Sequence, residues 1–308
     1  MQIETGRMAD FFEHLGHKVI SSQNAIWYDV QPSVLLAFPY CRLIQPPQDE
    51  LDILVRQYKI RALRYPTPLA GYGFSSTLAI NTNPDYDLSH QHQKARNQTR
   101  RGLENTRVEQ IDFDYLIEKG LPLNQDTAIR QGRESQYADI AYWKKYCLAA
   151  KSTTGVSAWG AFVEGQLAAF LVAIECGDWV EWVVNHSSTV LRDKYPNNAL
   201  AFIAAQHYFK EKNCKGICYG LGSLEETDQL DHFKVRMGWQ LQPIKQRLVF
   251  SRNLRCLFSL AREPSLKIIG KLFPKSYTIR KTSAMIRLYR QQSFNIPVTA
   301  DQKTCEQE

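Results

Sequence analysis

The strongest constraint on the fold is a run of eight apolar residues, Leu167–Ile174, placed directly after a Gly165–Gln166 turn. A second apolar stretch, Val156–Glu164, precedes that turn. Two short extended runs joined by a two-residue turn containing Gly predict a β-hairpin. Eight residues are also far fewer than the ~20 needed to cross a bilayer. We therefore expect a globular protein built around a sheet, not a membrane-spanning segment.

The segments after this hairpin extend the sheet and add helices to it. Gly177–Asp178 turns the chain into a third predicted strand, Trp179–His186. The pattern then predicts a helix at Asn197–Lys212, a strand at Lys215–Gly220, a helix at Glu225–Met237 and a strand at Trp239–Phe250. Antiparallel strands followed by βαβ crossovers indicate a mixed sheet, and hence an α/β (α+β) fold.

The first half of the chain is less regular. Its apolar spacing predicts two strands, a helix, an extended segment and two further helical regions. These are the strands Ile26–Val30 and Val34–Phe38, the helix Asp49–Tyr58, the extended segment Ile60–Tyr65, the helix Leu88–Asn105 and one or two helices in Asp126–Lys151.

Positive charge is concentrated near the C-terminus. Residues 251–290 contain ten Lys or Arg side chains and one acid, Glu263, whereas the net charge of the whole chain is +7. The rest of the protein is therefore slightly acidic. Apolar residues interleave with these charges, and Pro264 and Pro274 interrupt them, which predicts short basic amphipathic helices. They could pack on the domain with their charges in water, contact an anionic membrane surface, or bind RNA phosphates.

Cysteine usage and the first residues indicate the compartment. Seven cysteines, an odd number, are scattered over a chain of 308 residues and do not form a disulfide framework. The first twenty residues have no apolar signal core. We therefore expect a cytoplasmic protein. Its basic segment could also contact the inner face of a membrane. Cys214 and Cys218 have no second cysteine pair, so we expect no metal site.

Three segments of the second half carry a family resemblance. WGAFVEGQLAAFLVAI, YPNNALAFIAAQHYFKEKN and LDHFKVRMGW, in this order, resemble the GNAT acyltransferase superfamily, and most closely its FemAB-like branch of envelope and polysaccharide-associated enzymes. The resemblance implies a GNAT-like domain at residues 111–250 and a degenerate GNAT-like half at residues 1–110. Residues 251–308 would be a basic helical tail outside the resemblance.

One segment departs from the superfamily pattern. Acetyl-CoA-using members have a glycine-rich turn after the third strand, which binds pyrophosphate through backbone N–H groups. Here the segment reads RDKYPNNA and contains no glycine. The resemblance therefore leaves two acyl donors open, acyl-CoA (acetyl-CoA) and aminoacyl-tRNA. The residues expected to contact the donor are Asn185, Tyr195, Asn197 and the helix start at Asn198, Ala199 and Leu200.

Acyl transfer to an amine requires a proton acceptor and groups that stabilise the oxyanion. Strand alternation places Glu181 and Asn185 on one face of the third strand, and Trp182 and His186 on the other. Glu181, flanked by apolar residues, is the candidate general base, or else a carboxylate that is solvated or ion-paired. His186 is a second catalytic candidate, and Tyr219 a candidate proton donor.

The resemblance assigns roles to two further residues. In FemAB-type enzymes a Phe-Lys pair contributes to the active site, and the matching residues here are Phe233 and Lys234. Lys234 would stabilise negative charge and Phe233 would position it or contact substrate, although a core stripe and a helix C-cap explain the same residues. Arg100, on a basic helix, is a candidate contact for a substrate phosphate.

Together these observations predict an N-acyltransferase that moves an acetyl or aminoacyl group to an amine by direct attack. The resemblance implies a small or sugar-linked envelope precursor as acceptor. Two alternatives stay open at this point: a non-catalytic GNAT-like module that binds a membrane surface or a protein partner, and an RNA-binding or tRNA-binding protein that uses its basic tail.

Overall fold

A mixed sheet of eleven strands organises the computed structural model, which describes residues 2–132, 134–222, 228–255 and 277–292. The strands are β1 (Val19–Ser21), β2 (Ile26–Gln31), β3 (Val34–Phe38), β4 (Ala62–Thr67), β5 (Phe74–Asn81), β6 (Arg107–Ile111), β7 (Val156–Val163), β8 (Gln166–Cys176), β9 (Trp179–Ser187), β10 (Gly216–Leu221) and β11 (Gln240–Phe250). The helices are α1 (Gln2–His14), α2 (Gln48–Gln57), α3 (Gln93–Asn105), α4 (Phe113–Arg130), α5 (Ile140–Ser152), α6 (Pro196–Lys210), α7 (Asp228–Arg236) and α8 (Tyr277–Arg290).

The strand order is β1-β2-β3-β4-β11-β5-β10-β9-β8-β7-β6. The last strand, β11, thus lies between β4 and β5 and pairs antiparallel with both. It belongs to the region that the sequence assigned to the second half, residues 111–250. The two halves therefore share one hydrogen-bonded sheet, and that sheet continues across the predicted boundary at residue 110.

Apolar layers cover both faces of the second half of the sheet. On one face, α1, α4 and α5 contribute Phe11, Leu116 and Trp143 to a cluster that includes Phe170 and Val184. On the other face, α3 and α6 pack with the segment around Trp239 against β7–β10. A strand buried on both faces needs a continuous apolar run, which accounts for the run in β8.

In the first half, α2 packs on β2–β4. Leu51 and Leu54 of this helix meet Trp27, Leu35 and Leu63 in a separate core cluster. Their three-residue spacing is that of one helix face.

Part of the basic C-terminal segment packs on the sheet. Ala284 and Met285 of α8 are buried against Phe74 and Leu248, and Tyr289 contacts Phe250 edge to face at 4.8 Å. The Gln292 side chain then completes the contact, since it accepts from the Leu248 N–H at 2.6 Å and donates to its carbonyl at 3.1 Å. The other predicted basic helices, within residues 256–276, and the polar end from residue 293 lie outside the described residues.

Several elements differ from the sequence predictions. The structure adds α1, β1, β5 and most of α4, which were not predicted. The predicted one or two helices in 126–151 are two, the end of α4 and α5, and the chain leaves α4 near Gly132, whose φ is +59°. Pro122 lies inside α4, yet Leu116 and Leu123 are buried there. Tertiary burial therefore outweighs the helix-breaking tendency of the proline. Across the described residues, the helices are too short or too polar to span a bilayer.

Candidate functional site

The central strands β9 and β10 separate at their C-terminal ends. They pair in parallel over three residues, ending where Glu181 faces Cys218. Beyond that point β9 continues along β8 as far as Ser187, while β10 shifts register and pairs with β5. This divergence opens a gap between two neighbouring strands at the edge of the sheet where α/β proteins commonly bind ligands.

A bulge in β9 determines on which face of the sheet the side chains beyond it lie. Val172 of β8 pairs with Val184, whereas Ala173 pairs with Trp182, so that Val183 is an extra residue. The regular alternation that the sequence predicted is therefore wrong beyond this position. Asn185 lies on the face of Trp182, and His186 lies on the face of Glu181.

On the α6–α7 face, three of the predicted residues come together. The Asn185 side-chain amide donates to the Tyr219 hydroxyl at 2.6 Å. Lys234 Nζ lies 5.4 Å from the centre of the Tyr219 ring and 3.3 Å from Asp231 Oδ1. Burial raises the pKa of Tyr219, an effect that the Asn185 hydrogen bond partly opposes, so the phenol keeps its proton at neutral pH. A cation and a protonated hydroxyl thus lie side by side, and Phe233 packs against the same apolar cluster as Tyr219.

Two tryptophans extend this cluster and were not singled out in the sequence. Trp182 and Trp239 lie 5.1 Å apart between ring centroids, and Trp182 is 5.2 Å from the Tyr219 ring. Both indole N–H groups are buried, and neither has a hydrogen-bond partner among the described residues; Asn185 Oδ1 is in the same condition. Buried polar atoms are normally paired, so these atoms can pair with a bound polar group. In the sequence both tryptophans follow ordinary core patterns, and no signal separates them from packing residues.

Glu181 lies on the opposite face of the sheet and is fully buried. Its Oε1 accepts the backbone N–H of Cys41, just after β3, at 2.7 Å, while Oε2 has no nitrogen or oxygen partner in the part of the chain described. Burial raises the pKa of Glu181 to about 7, an effect that hydrogen bonds from the Cys218 thiol and the Cys41 backbone partly offset. A carboxyl with this pKa can accept or donate a proton near neutral pH.

His186 is held by a different set of contacts. Its Nδ1 lies 2.5 Å from Oδ1 of the buried Asn124 on α4, and its ring contacts Tyr137 at 6.0 Å and Phe170 at 5.7 Å. The structure therefore places His186 against α4, on the opposite face of the sheet from Lys234 and Tyr219.

The start of α6 does not present the backbone donors that the sequence suggested for a pyrophosphate. Tyr195 has a left-handed conformation with φ of 56°, and its carbonyl accepts the N–H groups of Asn198 at 3.1 Å and Ala199 at 3.3 Å. Ala199 and Leu200 are completely buried. The expectation that Asn198, Ala199 and Leu200 offer free N–H groups is therefore corrected, because the helix uses the first two to close its own first turn.

The remaining predicted residues lie around this helix start. The Asn198 side chain is turned inward, 3.2 Å from the sulfur of Met237, and Asn197 Oδ1 is buried without a partner among the described residues. Arg100 is exposed on α3, and the neighbouring Arg101 lies over the Tyr195 ring at 5.4 Å. The exposed basic face of α3 thus borders the start of α6.

Comparison with known proteins supports the fold but does not identify the reaction, which has to be inferred from the residues of the site. No protein-family model matches the chain, and no curated protein matches it in sequence. Among solved structures it is similar to FemX, with a TM-score of 0.57 and 12% identity over 82% of this chain and 92% of FemX. It is also similar to L-PGS from Bacillus licheniformis, with a TM-score of 0.52 and 14% identity over 82% of this chain and 93% of that one.

A third similar structure is the C-terminal domain of a putative lysylphosphatidylglycerol synthetase from Agrobacterium fabrum. Its TM-score is 0.50, at 11% identity over 83% of this chain and 94% of that domain. The predicted mixed α/β, GNAT-like fold is therefore confirmed, and the similarity to FemX includes residues of both halves of the chain.

Proposed function

We propose that this protein is an N-acyltransferase that transfers an acyl or aminoacyl group to an amine. The observation that carries the proposal is the gap between β9 and β10, with Lys234 and Tyr219 on one face of the sheet and Glu181 on the other. The fold shared with FemX and L-PGS supports it.

In the proposed reaction Glu181, Lys234 and Tyr219 each have one role. The donor carbonyl lies at the gap on the α6–α7 face, and the acceptor amine approaches from the face of Glu181. Glu181 takes a proton from the amine, which then attacks the carbonyl carbon. Lys234 stabilises the negative charge that develops on the carbonyl oxygen, and the Tyr219 hydroxyl gives a proton to the leaving group. The new amide and the released donor are the products, with no covalent intermediate on the protein.

An aminoacyl donor fits the site better than a CoA thioester. The segment before α6 has no glycine, and the Tyr195 carbonyl occupies the N–H groups of Asn198 and Ala199. The exposed basic face of α3, with Arg100 and Arg101, offers cations for the phosphates of a tRNA acceptor end. The name lysylphosphatidylglycerol synthetase, which belongs to a similar structure, also refers to a product with an aminoacyl group.

The acceptor that we propose is the amine of a small or sugar-linked envelope precursor. The basic segment 251–290, which contains ten Lys or Arg side chains, would hold the protein at the inner face of the membrane. RNA binding by this segment alone is the alternative, and it predicts salt-sensitive binding that is independent of Lys234.

The test is transfer of a radiolabelled aminoacyl group from charged tRNA to amines, with acetyl-CoA as the second donor. The matched pair of variants is Lys234→Met and Lys210→Met, the latter being exposed at the end of α6. We expect Lys234→Met to lower the transfer rate about 100-fold, since loss of one oxyanion-stabilising group typically costs this much. Lys210→Met keeps the wild-type rate.

Saturable transfer from acetyl-CoA instead would make the donor a thioester. Absence of transfer from both donors in a folded sample, or equal rates in the two lysine variants, would overturn the proposal.

A further inference from the structure

The last turn of α7 determines where the backbone of Lys234 lies, because Lys234 is part of it. The Trp239 N–H donates to the Lys234 carbonyl at 3.0 Å. The Gly238 N–H donates to the Val235 carbonyl, also at 3.0 Å. Gly238 has the left-handed conformation, with φ of 89°, that this type of helix end requires. The helix end therefore satisfies two of its last four carbonyls within the second half of the chain.

Donors from the first half satisfy the other two. The last four carbonyls of an α-helix have no partner within the helix, and the two still open here belong to Arg236 and Met237. The His92 N–H donates to the Arg236 carbonyl at 2.9 Å. The Tyr86 hydroxyl donates to the Met237 carbonyl at 2.6 Å. Each carbonyl from Lys234 to Met237 thus has a donor, and two of these donors come from the segment between β5 and α3.

Tyr86 is held in place by contacts of its own. Its side chain is 1% exposed, and its hydroxyl accepts a hydrogen bond from Gln91 Nε2 at 3.0 Å. Gln91 Oε1 in turn accepts the hydroxyl of Thr99, on α3, at 2.7 Å. The Tyr86 ring packs on Trp239, with 5.6 Å between the ring centroids. Burial raises the pKa of Tyr86, so the phenol keeps its proton and stays a donor at neutral pH.

The side chain of Met237 anchors the same turn. It is fully buried, and its sulfur lies 3.2 Å from Asn198 Nδ2 of α6 and 3.8 Å from Thr99 Oγ1 of α3. The end of α7 is therefore joined to α6, to α3 and to the segment before α3. A shift of this turn would break several buried contacts together.

We propose that Tyr86 is a positioning residue: its hydrogen bond to the Met237 carbonyl fixes the last turn of α7 and thereby holds the Lys234 ammonium beside Tyr219. An effect of Tyr86 on turnover rests on the proposed acyl transfer; the placement of Lys234 does not. A hydroxyl of the first half, which was not a candidate in the sequence, thus sets the position of the cation that stabilises the oxyanion in the second.

The first experiment follows Lys234 without any substrate. The lysine ε-carbons are isotope-labelled for NMR, and the Lys234 signal is the one that Lys234→Met removes. Because the Tyr219 ring lies 5.4 Å from Lys234 Nζ, its ring current shifts that signal away from those of the other lysines. We expect Tyr86→Phe to move the Lys234 signal towards them. An unmoved signal in folded Tyr86→Phe would overturn the proposal.

Tyr208→Phe is the matched control for this measurement. It also removes a buried hydroxyl from the same face of the sheet, one that lies 2.6 Å from the Ser157 hydroxyl of β7. Both variants leave buried polar groups without a partner, so both are expected to lower stability. Only Tyr86→Phe is expected to move the Lys234 signal, and an equal movement in Tyr208→Phe would contradict the assignment.

The second experiment is a double-mutant cycle on acyl transfer. We expect Tyr86→Phe to lower kcat about 10-fold to 100-fold with KM unchanged, because a misplacement of about 1 Å can cost this much. In the Lys234→Met background the same change should lower kcat less than about 2-fold, since the group that it positions is already absent. Tyr208→Phe keeps the wild-type kcat. Equal losses in the two backgrounds would overturn the proposal, because Tyr86 would then act on the fold and not through Lys234.

Should Tyr86→Phe fail to fold, Gln91→Met tests the same role, because it keeps the phenol and removes the group that donates to it. A wild-type Lys234 signal in that variant would again overturn the proposal. The two proposals fail separately. Movement of the Lys234 signal without transfer from any donor would keep the positioning role and remove the reaction. Transfer that depends on Lys234 but not on Tyr86 would keep the acyltransferase and remove the positioning role.

Discussion

Glu181 should contribute a pH dependence of its own to the stability of the protein. Its pKa rises from 4.5 to about 7 because the carboxyl is buried. The protonated form is therefore favoured in the folded state by about 3 kcal/mol, at about 1.4 kcal/mol for each pH unit. This contribution is fully present below pH 4.5, where the carboxyl is protonated in both states. It is lost as the pH rises to about 7, because the unfolded chain ionises first.

Glu181→Gln isolates this contribution, since glutamine does not titrate. Any cost of placing an amide beside the Cys41 N–H is independent of pH and cancels when slopes are compared. We expect the wild-type chain to lose about 2 to 3 kcal/mol relative to Glu181→Gln between pH 5 and pH 8. Urea unfolding at several pH values measures the difference, and Glu118→Gln, an exposed carboxylate on α4, is the control.

Parallel pH dependences of the stability of wild type and Glu181→Gln would refute this reasoning. If the free energies of unfolding of wild type and Glu181→Gln differ by a constant amount from pH 5 to pH 8, the buried carboxyl does not titrate in that range. Its assignment as a proton acceptor near neutral pH would then be wrong as well.

Three other perturbations have definite expected outcomes. Tyr219→Phe keeps the ring against Trp182 and should lower transfer about 100-fold, and a donor whose leaving group needs no proton should restore the rate. Gly102→Ala should lower stability by about 1 kcal/mol or more in thermal unfolding, because a Cβ there lies 2.7 Å from the Tyr195 carbonyl oxygen, and such overpacking exceeds the gain in helix propensity. Gln292→Ala should lower the free energy of unfolding by about 2 kcal/mol in chemical unfolding, because the buried backbone N–H and carbonyl of Leu248 both lose their partner. Wild-type stability of Gly102→Ala or of Gln292→Ala would contradict the packing described.

The sequence predicts the second half of the fold well, because its signals are local. The hairpin of β7 and β8 and the strand β9 lie where apolar runs and turn dipeptides place them. The position of β11 between β4 and β5 could not be predicted in this way, since pairing between distant segments leaves no periodicity within either of them. Of the two strands that flank β11, β4 was predicted as an extended segment. The other, β5, is rich in Ser and Thr and was not predicted.

The residues of the candidate site were likewise predicted only where the signal in the sequence is local. Strand ends and the Phe-Lys pair predicted Tyr219, Asn185 and Lys234, which the structure brings together. The bulge at Val183 could not be seen in the sequence, and it exchanges the faces of Asn185 and His186.

Residues of both halves border the gap between β9 and β10. The second half alone supplies β9 and β10, and parallel neighbours would ordinarily continue to pair along their length. Here β10 pairs with β5 of the first half on its other edge and shifts register against it after Cys218, where the pairing with β9 ends: Leu221 faces Leu78, and the Gly222 N–H donates to the Thr77 carbonyl at 2.7 Å. Gly220, with φ of 93°, allows the backbone to make this change of direction. On the other face, the Cys41 N–H from the first half holds the Glu181 carboxylate. The first half thus borders the gap through β5 and orients the Glu181 carboxyl beside it through the Cys41 N–H.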